Sequence, residues 1–256
     1  MKIEKIKKVG SKYKLTLENK EVINTYDEVI IKHNLLYNKN IDNEKLKQIN
    51  LDTRYYENYN KALNLINHRL RSESEIKEAL KKKQVSEEEI SKIINKLKNA
   101  GFINDEAFAK AYTNDKINLT LDGPNKIKKH LQKLKVNDEY INNAIKQIDK
   151  EIVLNHIDKI INKKIKANTK YPPYMLKQKI ITYLINLGYS KSDIIMQLEN
   201  AKIENQNFEK EMEKIYIKLN KKYQDKDLYL KLKNKLYSKG FSNEEINEFI
   251  NKKQLN

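Results

Sequence analysis

The chain has 256 residues, a formal net charge of +17 and no cysteine. The missing cysteine excludes a disulfide frame and a thiolate zinc site, and fits a reducing cytoplasm. No run approaches the ~18 uninterrupted apolar residues of a membrane span, and the start Met-Lys-Ile-Glu-Lys lacks the apolar stretch of an export signal, so a soluble, unexported protein is expected.

The charge points to an anionic partner, either nucleic acid or an acidic protein surface. A second reading stays open, because lysine, asparagine, isoleucine and tyrosine are all abundant and only three arginines occur, as in a chain of biased composition. In chain order, residues 1–26 come first. Lys2–Val9, Lys12–Leu17 and Val22–Tyr26 are short alternating runs punctuated by Gly10-Ser11 and Asn19-Lys20, which predicts a small antiparallel β unit. Asp27–His33 and Asp42–Ile49 read as two short helices around Asn38-Lys39-Asn40.

From about Tyr55 only helices are predicted, in groups of three. The first group is 55–70, 72–83 and 86–99; the second is 104–119, 124–134 and 137–148. The third is 150–167, 172–187 and 190–202, and the fourth is 207–223, 226–238 and 242–253. Ser72 with Glu75 and Ser86 with Glu89 form capping-box patterns, and Asn137, Ser190 and Ser242 stand where Ser86 does. Pro124, Pro172 and Pro173 fall at helix starts, where proline is tolerated.

One register runs through all four groups. Val85, Val136, Tyr189 and Phe241 are 51, 53 and 52 residues apart. A leucine stands five before each (Leu80, Leu131, Leu184, Leu236) and an isoleucine five after (Ile90, Ile141, Ile194, Ile246). Nine before come Ile76, Ile127, Ile180 and Leu232, and nine after come Ile94, Ile145, Leu198 and Ile250. Apolar residues four apart share a helix face, and each anchor falls in the turn between helices two and three. Gly188 and Gly240 precede the last two anchors as left-handed helix ends; Gln84 and Lys135 stand there in the first two, predicting mild strain. The fold expected is mainly α: four tandem three-helix repeats in an elongated, curved array after a small β unit. The domains are 1–53, 54–101, 102–149, 150–204 and 205–256.

Ala62-Leu63, Arg69-Leu70-Arg71-Ser72, Glu75-Ile76 and Leu80 resemble the opening of RecX regulatory proteins, as do Gly101-Phe102-Ile103-Asn104-Asp105, Phe108-Ala109, Gly123, Ile127 and Leu131. Asn104 departs from that family's pattern, which has an aspartate pair here. The third and fourth repeats match by order more than by signature residues. The resemblance implies a non-enzymatic protein that binds the RecA recombinase, inserts along its filament on single-stranded DNA and restrains ATPase and strand exchange. It implies RecA and single-stranded DNA as partners, with double-stranded DNA a second candidate, a monomeric state, no membrane and no cofactor.

Candidate partner contacts are Arg69 and Arg71, whose guanidinium groups suit carboxylate or phosphate. The alternative is a helix-end pairing with Glu73 or Glu75. Lys81, Lys82 and Lys83, then Lys128, Lys129, Lys133 and Lys135 with Lys126 beside them, then Lys163, Lys164 and Lys166, then Lys221 and Lys222 cluster at helix ends or along one helix. They form either a positive stripe for DNA or an acidic groove, or a solvated surface. Tyr55, Tyr56 and Tyr59 could stack on bases or pack the first helix on the β unit. Asp105 or Asn104 is expected as a helix cap, with Phe108 and Ala109 in the core. The four histidines show no metal-ligand spacing, acidic runs such as Glu87-Glu88-Glu89 sit in first helical turns, and no phosphate loop or nucleophile elbow occurs. The rival readings are a nucleic-acid-binding array without a recombinase target and a protein-binding scaffold.

Overall fold

The computed structural model describes residues 1–168, 171–201 and 209–254. The expected helix end at 202, the helix start at 207 and the repeat boundary at 204/205 lie outside the described residues. Three strands, β1 (Ile3–Val9), β2 (Lys12–Leu17) and β3 (Val22–Thr25), form an antiparallel sheet in the order β1-β2-β3. Helices follow: α1 (Asp27–Lys32), α2 (Asn43–His68), α3 (Glu73–Lys81), α4 (Glu87–Asn99), α5 (Asp105–Leu119), α6 (Pro124–Lys133) and α7 (Asp138–Lys146). The third repeat is α8 (Lys150–Lys166), α9 (Pro173–Asn186) and α10 (Lys191–Asn200), and the fourth is α11 (Glu209–Asn220), α12 (Asp225–Ser238) and α13 (Asn243–Lys252). The chain divides into two compact units, Met1–Ala109 with Lys133–Tyr140, and Lys110–Gln132 with Ile141–Asn256.

The sheet buries one face because its side chains alternate: Ile3, Leu15, Leu17 and Ile23 pack with Val29, Ile30, Leu35, Ile41 and Ile49. The two helices expected over 42–49 and 55–70 are one helix. No glycine or proline interrupts residues 50–54, and Asp42 caps the whole of α2 by accepting from the Lys45 amide at 2.7 Å. Ile49 of α2 lies in the sheet core and Tyr59 and Ala62 lie in the first-repeat core, with Tyr56 against both. Burial at both ends thus holds the polar middle in helix.

The register of the repeats has a backbone cause. All the residues of the pattern are buried except Ile145, which is half-buried. In the first, third and fourth repeats the anchor amide donates to the carbonyl of the leucine five before it: Val85 to Leu80 at 3.3 Å, Tyr189 to Leu184 at 3.1 Å and Phe241 to Leu236 at 3.3 Å. This is the six-to-one bond of a Schellman helix end, which brings the two side chains together. The residue before each anchor is left-handed, as that motif requires, at Gln84 (φ 58), Lys135 (φ 56), Gly188 (φ 91) and Gly240 (φ 88). Ser72 and Glu75 complete a capping box, as do Ser242 and Glu245. Ser86 accepts from the Glu89 amide, but the reciprocal bond expected there is replaced, because Glu89 accepts from Asn58 at 2.8 Å.

Adjacent repeats meet through the same turn. Ser72, which caps α3, lies with its hydroxyl 3.5 Å from the Leu134 carbonyl in the α6–α7 turn. The Gly123 amide before α6 donates to Leu187 at 2.6 Å and the Asn125 amide to Gly188 at 3.0 Å, both in the α9–α10 turn, while the Tyr189 hydroxyl donates to Leu121 at 3.2 Å. A Cβ at Gly123 or Gly188 would overlap the facing backbone, and one at Gly240 would overlap the Met175 side chain of α9. Gly123 is therefore fixed by close backbone approach.

Candidate partner-binding surfaces

In the first unit the residues of the resembling motif knit two repeats together. Asn104 caps α5, accepting from the Ala107 amide at 2.9 Å. Asp105 instead accepts from the Glu73 amide at 2.8 Å, so it caps α3 of the preceding repeat. Asparagine serves as well as aspartate at an N-cap, which explains why Asn104 is tolerated. Burial pushes the Asp105 carboxyl up, against the Glu73 amide bond that lowers it. Phe108 and Ala109 are buried.

Arg69 and Arg71 converge on one carboxylate. Arg69 donates to Glu75 at 2.5 Å and to the Leu70 carbonyl at 2.9 Å, and Arg71 donates to Glu75 at 3.2 Å. Burial raises the Glu75 carboxyl, but bonds from Arg69 and the Ser72 amide, the Arg69 charge and the Arg71 bond outweigh it and hold the group below the usual glutamate range. Arg69 is 53% exposed and Arg71 26% exposed, so Arg69 alone presents much of its side chain to solvent.

Lys81 and Lys135 border a cleft of about 760 Å³ with Glu73, Lys77, Lys98 and Asp105. Its cations are paired: Lys77 and Lys98 on Glu73 at 2.5 and 2.7 Å, Lys81 on Glu87 at 2.7 Å, and Lys135 near Glu78 at 3.9 Å. Burial raises Glu73, and the two lysine bonds reverse this and hold it low. Such a cleft is electrostatically satisfied from within. Lys128 donates to Asn142 at 2.9 Å. Lys82, Lys83, Lys129, Lys133, Lys163, Lys166, Lys221 and Lys222 are exposed, and none makes an ion pair among the described residues. Lys163, Lys164 and Lys166 share the last turn of α8, and Lys221 and Lys222 follow α11.

Tyr55, Tyr56 and Tyr59 surround the Lys96 ammonium, at 5.9, 4.4 and 4.6 Å from the ring centroids, and pack on the first-repeat core. The Tyr56 hydroxyl oxygen also accepts from the Lys96 ammonium at 3.3 Å.

A second cleft, of about 880 Å³, lies between the end of α8 and the length of α9. Lys164 stands 3.9 Å from the Tyr183 ring centroid and Lys179 4.5 Å from that of Tyr171. Of these four residues the sequence singles out Lys164 alone. The partners are 19 and 8 residues apart, separations that no single-helix spacing flags. Among the described residues no group of three histidine, cysteine or acidic side chains is placed to hold a metal, and no helix is long and apolar enough to cross a membrane.

Comparison with known proteins adds to this geometry. Family models described as the first and second three-helix domains of RecX match residues 59–97 and 104–145. The chain is 31% identical to a regulatory protein RecX of Listeria monocytogenes serotype 4b, covering 100% of this chain and 98% of that one. It is 31% identical to a regulatory protein RecX of Bacillus cytotoxicus, covering 88% and 85%. A crystal structure of a regulatory protein RecX superposes with a TM-score of 0.68 at 26% identity, over 78% of this chain and 99% of that one. One of RecX from Lactobacillus salivarius gives 0.54 at 26% identity, over 57% and 95%.

Proposed function

The chain belongs to the RecX family of regulatory proteins, and we propose that it binds RecA recombinase filaments on single-stranded DNA and restrains their ATPase, extension and strand exchange. The observation that carries this reading is the match to a regulatory protein RecX over the whole chain, first strand to last repeat. The exposed, unpaired lysines on the first three repeats and after α11 support it, because an anionic partner gains at several places at once. Several weak contacts on one chain give avidity without a single strong site. Arg69, Arg71 and the helix-end lysines are the proposed contacts. The protein works by occupancy and not by catalysis, as a monomer in the cytoplasm, in recombination and DNA repair.

The test is the ATPase rate of the cognate RecA on single-stranded DNA in excess, titrated with this protein in both orders of addition. The expected result is a fall in rate at substoichiometric protein. An unchanged rate, together with tight salt-sensitive DNA binding, would replace this reading with a nucleic-acid-binding array. An unchanged rate without DNA binding would favour a scaffold for another protein.

A further inference from the structure

We propose that the α8–α9 cleft is a contact site for single-stranded DNA, made by Tyr171 and Tyr183 with Lys164 and Lys179. The inference rests on the single-stranded DNA part of the function proposed above, and it names where this chain would touch the strand.

Three observations carry it. First, no carboxylate lines the cleft, and neither Lys164 nor Lys179 has an acidic partner among the described residues. This sets it apart from the cleft at Glu73, whose lysines are neutralised internally. A cation without a counter-charge, in a chain of net charge +17, is an anion-seeking group. Second, each ammonium sits on an aromatic ring that is itself accessible; Tyr183 is 40% exposed. A tyrosine face takes a base by stacking, and the neighbouring lysine takes the phosphate that follows it. Third, the exposed rim between the two pairs is uncharged and hydrogen-bonding, from Gln178 and Thr182 on α9, which suits base edges and sugars.

The combination selects the strand state. A duplex hides its base faces in the stack and offers phosphate alone, so the rings gain nothing from it. A single strand offers both groups at alternating positions. The cation–ring contacts now present are the resting form: the lysines are held over the rings by attraction to the aromatic face, and phosphate draws them off as the base arrives. An acidic protein segment would use the lysines and leave the rings idle.

The experiment is fluorescence anisotropy of labelled oligothymidylate with the full chain and no recombinase present. Tyr183→Ala is expected to weaken binding about fivefold or more, with Tyr183→Phe close to the unaltered protein, since phenylalanine keeps the stacking face. Lys164→Ala with Lys179→Ala is expected to weaken binding and to lower its dependence on salt by about two counterions. Melting by circular dichroism identifies any variant that fails to fold, and because both lysines are exposed the lysine pair then decides alone. Wild-type affinity in folded Tyr183→Ala and in the lysine pair would overturn the site, as would equal competition by duplex of the same length. Loss of recombinase inhibition without loss of DNA affinity would assign the cleft to protein instead. The two proposals fail separately. If the unaltered chain slows the ATPase while the variants bind DNA normally, only the site falls. If it leaves the ATPase unchanged while Tyr183→Ala loses DNA, only the recombinase reading falls.

Discussion

Three glycines with positive φ differ in what surrounds them, and alanine at each separates backbone strain from crowding. At Gly101 (φ +76) a Cβ would meet open space, so Gly101→Ala carries only the left-handed strain of an L-residue, roughly 1–2 kcal/mol. At Gly240 (φ +88) it would strike the flexible Met175 side chain. Moving that side chain off its rotamer adds about 1 kcal/mol. At Gly188 (φ +91) it would strike the backbone of Lys126, which cannot swing aside. The junction must open there, losing the bonds from Gly123 at 2.6 Å and Asn125 at 3.0 Å. Each is worth about 1 kcal/mol, giving roughly 3–4 kcal/mol in all for Gly188→Ala. Urea denaturation followed by circular dichroism should rank the losses 188 above 240 above 101. Amide exchange should show the Gly123 and Asn125 protons released in Gly188→Ala alone. Equal losses at all three positions would refute the close-approach argument and leave backbone strain as the whole effect.

Leu131→Asp places a charge at a fully buried position and should cost about 3–5 kcal/mol, read as lost helicity in thermal melts. Arg69→Ala with Arg71→Ala removes the charged groups that lower Glu75 and leaves only the Ser72 amide bond. A lowered carboxylate contributes stability above its unfolded pKa, near the usual 4.5, and that stability is lost as pH falls through the folded value. The stability gap between protein and variant should therefore be present at neutral pH and vanish in acid; a gap constant with pH would count against the Glu75 pairing. If the arginines also serve the filament, the same variant should inhibit RecA less at a temperature where circular dichroism shows it still folded. Burial pushes the Tyr189 hydroxyl up to about 12, with Asp122 adding to it. Alkaline absorbance titration should show a tyrosine ionising near pH 12 that is missing in Tyr189→Phe, and Tyr189→Phe should cost about 1 kcal/mol through the lost bond to Leu121.

The repeat register was legible because its cause is local: a Schellman bond couples Leu184 to Tyr189 whatever else surrounds them, and a serine cap needs only its own first turn. Contacts between distant residues were not legible. Nothing in residues 42–70 says that Ile49 and Tyr59 serve different cores and so keep one helix whole. Glu89 is drawn to Asn58, 31 residues away, and leaves its capping box. Asp105 reads as a cap for its own helix and turns out to cap α3. Among the candidate contacts, the capping role of Glu75 was visible, but its hold on both arginines depends on how the chain leaves α2 at Arg69. The tyrosine–lysine cleft has no signature in the sequence, because tyrosines are common in this chain and only folding selects two of them.

The single helix α2 gives the chain a direction of assembly. Starting a helix is costly because several dihedrals are fixed before the first bonds repay them, and short isolated helices are marginal in water. During synthesis the strands and the first turns of α2 emerge first, and Ile49 fastens those turns into the sheet core. Each later turn then extends an existing helix, one bond per residue. By the time Tyr59 and Ala62 appear they are already set on a formed cylinder, on which α3 and α4 close. The small sheet, too slight to stand well by itself, thus acts as the seed from which the first repeat crystallises along its own chain.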